Sequence, residues 1–320
     1  MKNTIIRMLI LLCMLPALSG CGKQEPVQAL PRETESVPAE AETTVPAETQ
    51  PKLTWRDNIL QENALDHLGI DRDAIVSVTF LDTLAEAPAD SWDLSAACDR
   101  RVLAWEYAPG EIYIAGEGGV NGGANNFTFS DCGALRSVTF DGVFHTEGAE
   151  SLSHLFYNCS SLVSVDAQNL DTSSVRDISA LFFGCESLRE VNVSGWNTAS
   201  VTNMEDMFEN CCSLQQLDVS QWDTGLVTNM NSLFGSCYSL RQVDVSGWDT
   251  ASVMDMSGMF RDCISLEKLD VSRWNTGSVR DMSNMFWSCN SLPSVEISIP
   301  GANTHNMFYM CYWHDSYFQY

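Results

Sequence analysis

Positive charge is what this chain has least of. Its 17 lysines and arginines stand against 42 aspartates and glutamates, a formal net charge of -25 over 320 residues. A surface this acidic repels phosphate backbones and anionic lipid headgroups, which excludes nucleic acid as a natural partner. Long apolar runs are missing too: the stretch Met8 to Leu15 is too short to span a bilayer. No Cys-x-x-Cys pair occurs, and His67, His145, His154, His305 and His314 fall in no recognisable motif. The glycine-rich Gly118 to Gly123 lacks the Lys-Ser/Thr ending of a phosphate cradle, so it reads as a turn. No nucleophile elbow or metal-ligand pair stands out, and the expectation is a non-enzyme with no catalytic residue, metal or cofactor.

What is present begins at the N-terminus. Lys2 and Arg7, the apolar run and Leu18-Ser19-Gly20-Cys21 read as a secretory signal ending at a lipobox. The pattern resembles that of bacterial lipoproteins, which implies lipid attachment at Cys21, removal of residues 1–20 and a place on the extracellular face of the cell envelope. Residues 21–52 are rich in Pro, Glu and Thr and repeat Val-Pro-Ala-Glu at Val37 and Val45. With almost nothing apolar to bury they read as an extended, disordered stalk, reaching about 90 Å at polyproline rise.

Residues 53–125 lack internal repetition and read as a mixed α/β cap. Asp57 is placed to cap a short helix with Leu60, Leu65 and Leu68 on one face and Gly69 at its end. Ile75 to Phe80 alternates as a strand, and Val102 to Tyr107 and Glu111 to Ala115 flank Ala108-Pro109-Gly110 as a hairpin. From there a strict period takes over: Cys159, Cys185, Cys211, Cys237, Cys263 and Cys289 stand 26 residues apart. A fixed period of this size predicts stacked units too small to bury a core alone.

Within a unit, Leu214, Leu217 and Val219 have leucine-rich strand spacing, with Asp218 pointing out between the last two. Trp196, Trp222, Trp248 and Trp274 mark a corner, followed by Asn/Asp-Thr pairs such as Asp223-Thr224, whose side chains suit local turn bonds. The return leg starts at Asn203, Asn229, Asp255 or Asp281, read as N-caps, and continues Met-x-x-Met-Phe. Met204, Met207 and Phe208 at i, i+3 and i+4 predict one helical turn with an apolar inner face, so the methionines read as core rather than a soft-metal site.

The phrases Cys211-Cys212-Ser213-Leu214, Leu217 to Thr224 and Met204-Glu205-Asp206-Met207-Phe208 closely resemble the BspA-like leucine-rich repeat surface proteins. Ser91 to Ser95, Val102 to Trp105 and Ile112 to Val120 resemble the segment that precedes the repeats in that family. The resemblance implies a bacterial surface protein, often described as an adhesin, with no catalytic residues. The fold expected is an α/β solenoid: a right-handed leucine-rich repeat stack of short parallel strands and helical turns over 126–299, closed by a C-terminal cap at 300–320.

Equivalent cysteines in such a stack have parallel side-chain vectors and do not converge as a disulfide needs, so they read as buried thiols; any bridge would lie elsewhere, at Cys98 or Cys212. The column Asp166, Asn192, Asp218, Asp244, Asp270 and Glu296 places one polar residue per unit on the outer face, where neighbouring carboxylates about 5 Å apart repel by about 1 kcal/mol in water. Hydroxyls of Ser194, Ser220, Ser246, Ser272 and Ser298 are one answer to that repulsion, and basic groups of a partner or a weakly associated Ca²⁺ are the other. The expected ligand site is Gln216, Asp218, Ser220, Gln242, Asp244, Ser246, Lys268, Asp270 and Ser272. The expected ligand is an extracellular protein or glycan bound in adhesion; the alternative is a display protein with no specific ligand.

Overall fold

The computed structural model describes residues 55–61, 63–123, 127–140, 143–299 and 301–311. The expected signal, Cys21 and the stalk lie outside the described residues, as do 312–320 of the expected C-terminal cap.

The N-terminal part is a five-stranded mixed sheet. Its strands are β1 (Ser77–Leu81), β2 (Trp92–Asp93), β3 (Val102–Ala108), β4 (Glu111–Gly116) and β6 (Ser137–Thr139), in the order β2-β3-β4-β1-β6. The hairpin expected around Ala108-Pro109-Gly110 forms: β3 and β4 are antiparallel, with a register shift between Glu106 and Ala108. β1 pairs in parallel with both β4 and β6, so the sheet runs past residue 125 into the first repeat. A separate parallel pair joins β5 (Val120–Asn121) to β7 (Phe144–His145). Asp57 does not cap the expected helix; it ends a 3-10 turn, Trp55–Asp57. A second 3-10 helix, Ala64–Leu68, stops at Gly69 in the left-handed region, where a missing Cβ costs nothing. Leu60, Leu65 and Leu68 are all buried, but Leu60 lies outside this helix, in an antiparallel bridge to Ser95, so the three do not share a helix face.

The α/β leucine-rich repeat solenoid is not what forms. Among the described residues there is no α-helix, only three 3-10 helices, and the sheets are small and mixed. Beyond β6 and β7 the described residues contain only one strand pair, the parallel β8 (Ser164–Asp166) and β9 (Glu190–Asn192). The return leg is not helical because two residues per repeat sit at positive φ. One column runs through His154, Ala180, Asp206, Ser232, Gly258 and Asn284, and the other through Asn158, Gly184, Asn210, Ser236, Asp262 and Ser288, with φ between 48° and 71°. A right-handed helix cannot pass through left-handed residues, so Met204 to Cys211 folds as successive tight turns closed by Met207 N–H to Met204 C=O and Cys211 N–H to Phe208 C=O. Asn203, Asn229, Asp255 and Asp281, read as helix caps, instead accept the N–H two residues on as Asx turns.

The expected strand leg is also mostly unpaired. Leu217 and Val219 point inward and Asp218 outward as predicted, yet no strand forms around them. Asp218, Asp244 and Asp270 each curl back to accept the N–H of the serine two residues on, a local bond that competes with ladder pairing. Registration between repeats is carried by the turn leg: the N–H groups of Met204, Asp206, Phe208 and Asn210 donate to the carbonyls of Asn229, Asn231, Leu233 and Gly235, at 2.9–3.0 Å.

Aligned repeats turn each inward residue into a column. Phe129, Phe156, Phe182, Phe208, Phe234, Phe260, Phe286 and Phe308 stack ring on ring, with neighbouring centroids 5.1–5.9 Å apart. Trp196, Trp222, Trp248 and Trp274 stack at 6.2–6.4 Å. Each ladder cysteine is a free buried thiol whose S–H donates to the carbonyl of a phenylalanine in the preceding repeat, as in Cys237 to Phe208 and Cys263 to Phe234. Burial pushes Cys132 up to about 12 and Cys311 up to about 11, and Cys211, Cys263 and Cys289 well above the usual thiol range. Cys212 is free and half-buried, and Cys98 is disulfide-bonded. The corner threonines reach further than expected: the hydroxyls of Thr172, Thr198, Thr224 and Thr250 donate to a carbonyl of the next repeat, while the neighbouring Asn and Asp side chains make the local turns.

Candidate binding groove

The side chains that alternate along Leu-x-x-Leu-x-Val build a groove of about 880 Å³ across five successive repeats. Its floor is one aliphatic residue per repeat, Val165, Val191, Leu217, Val243 and Leu269. Two columns flank it, Ser164, Glu190, Gln216, Gln242 and Lys268 on one side and Asp166, Asn192, Asp218, Asp244 and Asp270 on the other. A smaller cavity of about 350 Å³ adjoins it at Ser164 and Asp166 and carries the depression onto β6 and Phe144.

The expected site residues Gln216, Asp218, Gln242, Asp244, Ser246, Lys268 and Asp270 all line this groove; Ser220 and Ser272 do not. Those two act through their neighbours. Ser220 donates its N–H and hydroxyl to Oδ1 of Asp218, and Ser246 and Ser272 repeat the arrangement with Asp244 and Asp270, each hydroxyl contact at 2.7 Å. The serines therefore tie each carboxylate within its own repeat instead of bridging the column. Hydrogen bonds from Ser220 and Ser272 hold Asp218 and Asp270 below the ordinary carboxylate range. Ser164 and Glu190 are not singled out by the spacing, and Asp166 and Asn192, placed in the outward column, fall outside the expected ligand site. They occupy the same columns one and two repeats upstream, so the period itself was the signal.

Among the described residues no three His, Cys, Asp or Glu side chains converge as a metal site, and no helix is long and apolar enough to cross a membrane. The column carboxylates stand in file, one per repeat, which is the wrong arrangement to wrap a single Ca²⁺ with six or more oxygens.

No curated protein and no solved structure matches the chain. A family described as Mycoplasma protein of unknown function, DUF285, matches residues 129–217, 150–243 and 216–319, which together take in the repeats from Phe129 onward. The groove and the columns beneath it thus lie within the matched region, and the chain belongs to the DUF285 family.

Proposed function

We propose that this is a BspA-like bacterial surface protein, anchored by lipid at Cys21, whose groove binds an extracellular macromolecule in adhesion. The observation that carries the reading is the groove itself: a continuous depression over five repeats whose polar walls recur in register above an apolar floor. A repeated surface of this kind binds through many weak contacts along its length, so affinity comes from summation rather than from one deep pocket. The role is one of binding, with no catalytic residue assigned. The lipobox and the Pro/Glu/Thr-rich segment support a location outside the cell and away from the membrane.

Replacing Asp218, Asp244 and Asp270 together by Asn keeps the Asx geometry, as Asn192 shows by accepting from Ser194 in the same way. The variant should keep the parent circular dichroism spectrum while attachment to immobilised matrix proteins and cell surfaces falls. A second reading, display without a specific ligand, is favoured by the serine bonds that already satisfy one oxygen of each aspartate. Attachment unchanged by the triple substitution would decide for it.

A further inference from the structure

We infer that the groove takes an extended basic polypeptide, with arginine or lysine side chains laid against its aspartate wall; this rests on the reading of the groove as the binding site. Asp218, Asp244 and Asp270 each receive both serine hydrogen bonds on Oδ1, and Oδ2 has no partner among the described residues. One oxygen fixes the side chain, and the other is left as a spare acceptor, once per repeat. Across the groove, Gln216 and Gln242 have no side-chain partner among the described residues and supply amides to the main chain of an extended ligand. The aliphatic floor suits the methylene stems of long basic side chains, whose charged heads then meet the spare oxygens.

Charge decides between ligand classes. Five carboxylates line the groove, the three aspartates with Asp166 and Glu190, against one lining cation, Lys268, with Arg273 adding a pull on Asp270 from outside the lining. A polyanion is repelled. A neutral glycan can offer hydroxyls to the spare oxygens but gains nothing from their charge. A basic polypeptide gains from the same array and is steered to it.

The test is fluorescence anisotropy on the full-length protein at physiological salt, with a labelled peptide of alternating Arg and Gly, its Gln-Gly counterpart, and dextran oligomers as competitors. The Arg-Gly peptide should bind and the Gln-Gly peptide should not. D218N/D244N/D270N should weaken binding at least about tenfold. The control D171N/D223N/D249N carries the same charge change at a corner off the groove, and its Asx turns persist because Asn197 and Asn275 fill equivalent positions. It should stay within about threefold, the loss expected from general attraction alone. Equal weakening by both triples would reduce the effect to net charge and overturn the inference. Displacement by dextran, or equal binding of the Gln-Gly peptide, would overturn the basic class while leaving the groove as the site. Arg-Gly binding that survives D218N/D244N/D270N would remove the groove itself.

Discussion

A single dihedral angle per turn does much to define this chain. Gly258 sits at φ +62, in the column where Ala180 holds φ 50 and Asp206 φ 56. A Cβ at Gly258 would meet Ser232 Oγ at 3.1 Å, a contact a hydroxyl can relieve by rotating. Gly258→Ala should therefore fold and lose about 1 kcal/mol of stability, and Ala180→Gly should gain a similar amount, both read from urea midpoints at constant slope. Asp206 carries a second effect. Burial, then a hydrogen bond with Glu209 and the charges of Glu209 and Glu205, raise it to about 7, against the pull of Arg261. Arg261 reaches Glu209 at 2.6 Å across the intervening repeat, where Gly235 offers no side chain in the way. The folded state binds this proton more tightly than the unfolded chain does. Its contribution is complete below the ordinary carboxylate range near pH 4 and is lost as pH rises to about 7. Asp206→Asn should flatten that slope and stabilise the protein at pH 8, by on the order of 1 kcal/mol once solvent screening at this half-exposed site is allowed for. Parallel pH–stability curves for the two proteins would contradict it.

At the scale of the repeat, stability is shared between columns of different chemistry. Thr224 is buried and donates to Asp249 C=O at 2.9 Å, joining one corner to the next. Thr224→Val keeps the shape and removes the donor, and should cost about 1–2 kcal/mol in urea unfolding; Thr224→Ser should recover most of it. A Val variant as stable as the parent would show the hydroxyl to be incidental. The sequence made these columns legible because their side chains repeat: Phe, Met, Cys, Trp and Val each return at the 26-residue step and each is buried. The backbone that connects them was not legible. His154, Ala180, Asp206, Ser232, Gly258 and Asn284 share one left-handed conformation and no common side chain, so no pattern announced that the Met-x-x-Met-Phe leg would turn rather than wind. Apolar spacing at i, i+3 and i+4 puts three residues on one side in a helix, and a run of tight turns with inward Met204, Met207 and Phe208 satisfies the same burial. The strand leg misled for a related reason. Leu-x-Val spacing fixes which side chains face in, while the Asp-x-Ser motif bonds its own backbone in place of a neighbour's. The groove was half legible, since its columns follow the period, while its extent toward Ser164 depends on β8 lying beside β6.

Over the whole molecule, a net charge of -25 makes the compact state repel itself. The screening length falls from about 30 Å at 0.01 M salt to about 8 Å at 0.15 M, so adding neutral salt over that range should raise the melting temperature by a few degrees. The groove triple D218N/D244N/D270N, relieving part of the same repulsion, should show a smaller rise. A melting temperature indifferent to salt would mean that local pairs, such as Arg56 with Glu147 at 2.8 Å, already balance the field. The thiol column has a consequence of another kind. Once folded, its sulfurs are shielded, tied to phenylalanine carbonyls and held as thiols, so an oxidant finds little to attack. Before folding, the same cysteines lie open along one chain, where any two can join in the wrong pair. In any oxidising surroundings folding would thus be a race between collapse and sulfur chemistry, and the regular spacing that aligns the finished structure is also what multiplies its ways of being lost.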